Sequence, residues 1–165
     1  MEARPLRLEL SMDTAVSLVS VTRRFVEDAL EKFIPDADLV WRAAMAAHEL
    51  LENAAKYARH ARAELSVVID RQDGGTLTLQ LSNVTSSAHI DRLKQSFREL
   101  DACDDPLGLY VGLMRRNADR TDISGLGLAR ILAEAEMTLA LRVEGEVVTI
   151  VARTGLDGGA RNVKS

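Results

Sequence analysis

The sequence predicts an α+β fold, a two-layer α/β sandwich in which helices pack on one face of a mixed, mostly antiparallel sheet. Apolar residues recur at helical spacing in four segments. Strand-like segments come in pairs joined by glycine-containing turns, which is typical of antiparallel hairpins. The chain has 165 residues, 47% of them hydrophobic, which is enough for one core. We therefore expect one domain over residues 1–153 and a disordered tail over residues 154–165.

The first part of the chain predicts a strand and two helices. Leucine alternates with charged residues in RPLRLEL, which indicates a short strand, and SMD supplies capping residues for a helix over about residues 13–33. IPDAD ends this helix and caps the next one. The second helix carries an apolar stripe formed by Val40, Ala44, Ala47, Leu51, Ala54 and Ala58.

The rest of the chain predicts two hairpins and two more helices. RQDGG joins AELSVVID and GTLTLQLSN as one hairpin, and TLALRVEGEVVTIVAR forms another with its turn at EGE. SSAHIDRLKQSFREL has helical spacing of its apolar residues. The polar stretch that follows it, to about Ser124, is expected to be a loop. GLGLARILAEAEM is a helix that begins with glycines.

Charge, hydropathy and cysteine content exclude several function classes. The formal net charge is −4 and the basic residues are scattered, so we expect no binding to nucleic acid. No apolar run reaches the roughly 18 to 20 residues of a membrane span, and the first residues lack the apolar core of a signal peptide. We therefore expect a cytoplasmic protein without a membrane segment. Cys103 is the only cysteine, which excludes an internal disulfide or a cysteine metal cluster.

The second predicted helix carries a polar face. Glu49, Asn53 and Lys56 are spaced by four and three residues, which brings them to one side, roughly opposite the apolar stripe. The Asn53 amide oxygen suits a hard cation such as Mg²⁺, the Glu49 carboxylate can orient or deprotonate a hydroxyl, and Lys56 can complement phosphate charge. The same pattern is compatible with a solvated face on which Glu52 pairs with Lys56.

Two glycines begin the last predicted helix. Gly125 and Gly127 stand in DISGLGLARI, where unpaired backbone N–H groups and the positive end of the helix dipole favour an anion. Glycine also lets a phosphate approach the backbone closely. Gly-x-Gly is found equally in helix caps and in close helix–sheet packing, so both interpretations stay open.

The order of these motifs resembles a known nucleotide-binding domain. Over about residues 35–152 the chain has, in this order, HELLENAAKYA, a hairpin, a loop, SGLGLARI and a closing hairpin. The same order occurs in the Bergerat ATP-binding domain of histidine kinases, anti-sigma-factor serine kinases, type II topoisomerases and Hsp90-like chaperones. The resemblance implies that Glu49 is the general base or water-orienting carboxylate and that Asn53 is the Mg²⁺ ligand. It also implies that ATP is bound, with its phosphates held beside Gly125, Leu126, Gly127 and Leu128.

The resemblance further implies a lid and an adenine contact. The lid would be the stretch from about residue 104 to residue 124, with Arg115, Arg116 and Arg120. At the end of the second hairpin strand the family has Asp-x-Gly-x-Gly, whose Asp accepts a hydrogen bond from adenine, whereas this chain has LSNVTSSAHI. Asn83 stands near that position, and its side-chain carbonyl can accept the same bond without a charge.

In the region where the chain departs from this family pattern, it resembles the SiaB-like protein kinases. These small stand-alone bacterial relatives of the anti-sigma-factor kinases also lack a regular first glycine box. A helix of the IDRLKQSFREL type and a polar segment before SGLGLARI follow the strand that ends in Asn83. The resemblance implies a partner-switching circuit, in which a kinase phosphorylates a serine or threonine of a small acceptor protein. The resemblance is also compatible with a homodimer.

Three functions are compatible with these motifs. The first is an ATP-dependent serine/threonine kinase in bacterial signalling. The second, suggested by the altered region around Asn83, is a degenerate domain that binds no nucleotide and acts as a protein-interaction module. The third is a detached histidine-kinase catalytic domain that acts on a histidine of another protein.

Other polar and aromatic residues are expected to have structural roles. His48 is expected to pack beside the site or to orient Glu49, and His60 and His89 to be exposed. Trp41 and Phe97 are expected to pack in the core or at an interface. No trio of His, Asp and Glu has the spacing of a zinc site, so Mg²⁺ bound with the nucleotide is the only metal expected.

Overall fold

The structure is a computed structural model that describes residues 5–118 and 125–157, which form a five-stranded sheet and five α-helices. The strands are β1 (Leu6–Met12), β2 (Ala58–Asp70), β3 (Thr76–Thr85), β4 (Thr138–Glu144) and β5 (Val147–Gly155). The helices are α1 (Val16–Leu30), α2 (Ala37–Tyr57), α3 (Ser87–Asp101), α4 (Pro106–Arg116) and α5 (Leu126–Ala133). None of the described helices is long and apolar enough to cross a membrane.

The sheet has the strand order β1-β2-β3-β5-β4. Along β3, Leu77, Leu79 and Leu81 are fully buried, while Gln80 and Ser82, which point to the other face, are partly exposed. This alternation means that the helices cover one face of the sheet. The predicted two-layer α+β fold is confirmed. Each described pairing is antiparallel, so the parallel component of the expected mixed sheet is not found among these strands.

Both predicted hairpins are present. The φ angles in the first turn are positive, at 49° for Asp73, 87° for Gly74 and 79° for Gly75. Glycine adopts positive φ angles without strain. In the second, Glu144 pairs with Val147 around a two-residue turn that contains a glycine.

α2 lies in the centre of the core. Asp36 caps it by accepting hydrogen bonds from the backbone N–H groups of Asp38 (3.0 Å) and Leu39 (3.2 Å). The predicted apolar stripe is buried except for Ala58, which follows the last helical residue and begins β2. β2 thus starts before the predicted segment, with an irregular register between Ala58 and Ala63.

Element boundaries differ from the predictions at further places, among them α5, which ends at Ala133 rather than at Met137. α1 covers residues 16–30 rather than 13–33. The expected loop after α3 contains α4, because the Asp105 carboxylate caps the N–H of Gly108 (2.9 Å) and Pro106 occupies the first turn. β5 continues to Gly155, past the predicted domain end at residue 153. Residues 158–165 of the predicted tail lie outside the described residues.

Candidate functional site

α2 and α5 meet at a small polar cavity. Its lining consists of Glu49, Glu52, Asn53, Lys56 and Tyr57 from α2, with Gly125, Gly127 and Leu128 at the start of α5. The structure therefore brings together the two motifs that the sequence analysis identified. Of the described residues expected at the site, Leu126 and Asn83 are not in this lining; Leu126 is instead partly buried against the core.

The glycines of α5 allow α2 to come close. Gly125 is the N-cap residue in a left-handed conformation (φ 97°), and no side chain caps the helix. The first N–H groups of α5 are thus without a capping side chain, as in an anion site. At Gly127 a Cβ atom would lie only 2.6 Å from Oε2 of Glu49. Glycine at this position leaves room for the carboxylate against the first turn of α5.

An arginine that the sequence analysis missed holds the other oxygen of Glu49. Nη1 of Arg130 donates to Oε1 of Glu49 at 2.9 Å, and its Nε donates to Oε2 of Glu134 at 2.7 Å. The hydrogen bond to Glu134 raises the pKa of Arg130, in opposition to burial, and the bond to Glu49 raises it further. The Glu49 side chain is only 12% exposed. Nothing local in the sequence marks Arg130, since its partner lies 81 positions away.

α4 contributes a second residue that the sequence analysis missed. Tyr110 is 9% exposed, and its pKa is raised by burial, then by Glu134, with a smaller effect of Glu49. Tyr110 is thus in the electrostatic field of these carboxylates, outside the cavity lining. The predicted lid is a helix over its first part. Arg115 and Arg116 are exposed on it and outside the cavity lining, while Arg120 lies outside the described residues.

Glu52 engages two neighbours on α2. Lys56 Nζ donates to Oε2 of Glu52 at 3.1 Å, the helix-surface pair that was considered as an alternative. His48 Nε2 lies 3.4 Å from Oε1 of Glu52. His48 therefore packs beside the site against Glu52, one of the two expected roles, and does not orient Glu49, because one helical turn brings residue 48 next to residue 52.

Asn83 lies on the helix-facing side of β3, near the end of α2. It is buried, and its Nδ2 donates to the backbone oxygen of Val84 at 3.3 Å. Thr85, on the same side of the strand, donates from Oγ1 to the backbone oxygen of Tyr57 at 2.6 Å. Because Tyr57 lines the cavity, Asn83 lies next to the site without opening into it.

His89 is buried, which contradicts the expected exposure. Its ring stacks on Tyr57 with centroids 3.9 Å apart and planes 16° apart, while the Arg92 guanidinium lies 5.9 Å from the Tyr57 ring centroid. Burial, with a smaller effect of Arg92, lowers the pKa of His89 to about 4. His60 is exposed as expected. Trp41 is 45% exposed, so it does not pack in the core, whereas Phe97 does.

The groups that line the cavity suit Mg²⁺ and phosphate oxygens. Asn53 offers an amide oxygen of the kind that Mg²⁺ prefers, and the start of α5 offers N–H groups to phosphate. The volume is about 40 Å³, whereas small-molecule sites usually have roughly 300 to 1,000 Å³. The cavity is therefore smaller than a site for a whole nucleotide.

Comparisons with known proteins identify the family and the fold of the chain. The sequence model of the histidine kinase-like ATPase domain family matches residues 12–151. A chain in the crystal structure of the SiaB-SiaC complex from Pseudomonas aeruginosa has a similar fold, with a TM-score of 0.59 and 17% sequence identity. The alignment covers 89% of this chain and 88% of that one. Among curated proteins, no sequence matches this chain significantly.

Proposed function

The chain belongs to the histidine kinase-like ATPase domain family, and from this we propose that it binds ATP and phosphorylates a serine or threonine of a small acceptor protein in a signalling circuit. The observation that carries the proposal is the cavity where Glu49 and Asn53 of α2 meet Gly125 and Gly127 of α5. A carboxylate, an amide and an uncapped helix start in one place can supply a base, a Mg²⁺ ligand and phosphate-binding N–H groups for phosphoryl transfer.

Each residue would have a separate task with MgATP bound, which supplies the phosphoryl group. Asn53 would hold Mg²⁺ through its amide oxygen, and the first N–H groups of α5, in Leu126, Gly127 and Leu128, would hold phosphate oxygens. Lys56 would turn from Glu52 to the phosphates. Glu49 would accept the proton of the acceptor hydroxyl through Oε2, while Arg130 fixes Oε1.

The fold neighbour supports a protein as the acceptor or regulator. That structure is a complex of two proteins, SiaB and SiaC. If this chain likewise acts on a protein partner, it would belong to a partner-switching circuit of the anti-sigma-factor type. Such a circuit would operate in the cytoplasm, where ATP is available. Asn83 would contribute an acceptor for the adenine amino group once the base is bound.

A second function, a protein-interaction module without nucleotide, is favoured by two observations. The cavity has a volume of about 40 Å³. Asn83 does not line the cavity, and its Nδ2 donates to the backbone oxygen of Val84. If this arrangement is permanent, the base has no place to bind.

Titration calorimetry with MgATP separates the two functions. We expect saturable binding by the natural chain and a loss of affinity of about tenfold or more in Asn53→Ala, because the Mg²⁺ ligand is removed. Gln95→Ala, an amide control on the exposed side of α3, should bind as the natural chain does. No heat of binding up to millimolar MgATP would refute the kinase and favour the interaction module.

The chemistry of the acceptor is tested by the stability of its phosphate. After reaction with radiolabelled ATP, acid-stable label on a partner protein would support serine or threonine phosphorylation. Acid-labile label would instead indicate phosphohistidine, and the chain would then be a detached histidine-kinase catalytic domain.

A further inference from the structure

β4 is an edge strand, and its outer edge is open. Within the described part of the chain it pairs with β5 alone. Glu144 and Val147 close a two-residue turn, so this pair is hydrogen-bonded, and such pairs alternate with non-hydrogen-bonded pairs along an antiparallel ladder. The backbone groups of Leu139 and Leu141 therefore point away from β5. They can pair with a further strand.

A groove of about 470 Å³ lies between this edge and α3. Its lining consists of Lys94, Phe97, Arg98 and Asp101 of α3 and Leu139, Ala140 and Leu141 of β4. Leu139 and Leu141 stand opposite the buried Ala152 and Ile150 of β5, so they face the helix layer, yet both are only partly buried. The groove thus has an apolar floor that α3 does not fully cover.

Two exposed cations border the apolar floor. Lys94 and Arg98 are one helical turn apart, and neither side chain forms an ion pair or a hydrogen bond with any residue that the structure describes. Arg142 is also exposed, on the outer face of β4. Among the described residues that line the groove, Asp101 is the one carboxylate, at the end of α3. The groove therefore favours an acidic occupant, although the chain as a whole has a net charge of −4.

We propose that this groove binds an extended acidic segment of a partner protein, which adds to the sheet as a strand beside β4. The backbone of this segment would pair with Leu139 and Leu141, and its apolar side chains would pack on these two leucines. Its acidic side chains would reach Lys94 and Arg98. Main-chain hydrogen bonds give such a strand its affinity, and the pockets for its alternate side chains give it specificity.

The charge of the groove argues against two other occupants. A second copy of this chain, paired through β4 about a twofold axis, would bring the same two cations of both copies together, which is unfavourable. The sequence after residue 157 has two basic residues, Arg161 and Lys164, and no acidic side chain. It therefore does not complement Lys94 and Arg98 either.

The groove is separate from the cavity between α2 and α5 but lies near it. The two share no lining residue among those that the structure describes. α3 connects them, because a Cβ atom at Gly125, the first residue of the α5 cap, would lie 3.2 Å from Ser96 Oγ. A partner segment in the groove would thus be held beside the candidate site. Its binding requires no nucleotide, so the test below is independent of the proposed function.

Selection from a random library of displayed peptides of about ten residues, the length of a strand, supplies the probe. We expect the enriched peptides to combine apolar and acidic residues in alternation, and calorimetry with the most enriched peptide to give saturable binding. The double variant Lys94→Glu/Arg98→Glu should raise the dissociation constant of this peptide by about tenfold or more, because both cations become anions. Arg24→Glu/Lys32→Glu reverses two exposed charges far along the chain and should leave it unchanged.

Two altered peptides test the mode of binding. N-methyl groups on alternate backbone nitrogens should abolish binding in one of the two possible phases and not in the other, because only one edge of the peptide pairs with β4. A peptide with lysine in place of its acidic residues should bind Lys94→Glu/Arg98→Glu more tightly than it binds the natural chain. Circular dichroism of each variant shows whether it is folded.

Three results would overturn the proposal. They are the absence of enriched peptides, enriched peptides that bind the folded double variant as tightly as the natural chain, and peptides that tolerate N-methyl groups in both phases.

Discussion

Single residues determine what the cavity between α2 and α5 can do. Arg130 holds one carboxylate oxygen of Glu49 at 2.9 Å, and the absence of a Cβ atom at Gly127 gives the other oxygen its place beside α5. The carboxylate therefore has a fixed direction. Such preorganisation is what a general base needs, since its position relative to the hydroxyl must be set before reaction.

The buried His89 predicts a pH dependence of stability. Its pKa is about 4 in the folded chain, against 6.5 as the ordinary value, so the unfolded chain binds more protons between these pH values. The free energy of unfolding should fall as pH is lowered from 6.5 to about 4, by roughly 3 kcal/mol from this residue, with no further contribution below. His89→Phe keeps a ring for stacking but cannot titrate, so it should remove this part of the pH dependence.

Urea unfolding near neutral pH and at about pH 4.5 measures the effect. His60→Phe, at an exposed histidine, is the control and should keep the pH dependence of the natural chain. If the free energy of unfolding of His89→Phe depends on pH as strongly as that of the natural chain, His89 is not the group that causes this pH dependence.

At the level of elements, α2 connects the fold to the candidate site. One side of this helix is buried in the core, and the other carries Glu49 and Asn53. Its start is defined by Asp36, which satisfies two backbone N–H groups. Because the site residues follow on the same rigid helix, stable formation of α2 is a condition for the site.

Removal of this cap should destabilise the chain. Asp36→Ala leaves the capped N–H groups without their acceptor, and we expect the free energy of unfolding to fall by about 1 kcal/mol. Asp28→Ala, at an exposed aspartate inside α1, should change it by less than about 0.5 kcal/mol. Chemical denaturation of both variants provides the comparison. Equal losses would mean that Asp36 stabilises the chain through its charge alone and not as a cap.

At the level of the whole molecule, one apolar core joins both layers. Buried residues of α1, α2 and α5 pack with those of β2, β3 and β5 in a single cluster. Within the described residues, the buried residues of the helices are therefore in the same cluster as those of the strands. The helices and the sheet should therefore unfold together.

Two core substitutions, one in each layer, test this cooperativity. Leu50 in α2 and Leu79 in β3 are both 0% exposed, so Leu50→Ala and Leu79→Ala should each lower the free energy of unfolding by about 2 to 5 kcal/mol. Far-ultraviolet circular dichroism and fluorescence of Trp41, the only tryptophan, should give coincident transitions in both variants. Separate midpoints would mean that the two layers unfold independently.

Local sequence patterns are sufficient to predict the elements whose cause is local. The apolar spacing of α2, the cap at Asp36 and the glycine turns of both hairpins depend on residues a few positions apart, and each is present. α4 was missed, although its cap at Asp105 and its proline are local signals, because the polar composition of the segment suggested a loop. Helical spacing also placed Glu49 and Asn53 on one face before any tertiary structure was known.

The way in which these elements meet depends on the packing of the two layers. Arg130 reaches Glu49 across 81 positions, α4 packs against α5, and His89 is buried against Tyr57. The small volume of the cavity likewise follows from the approach of α5 to α2. Local propensity and periodicity carry no information on such contacts, because their free energy comes from side chains that become neighbours only when the layers pack.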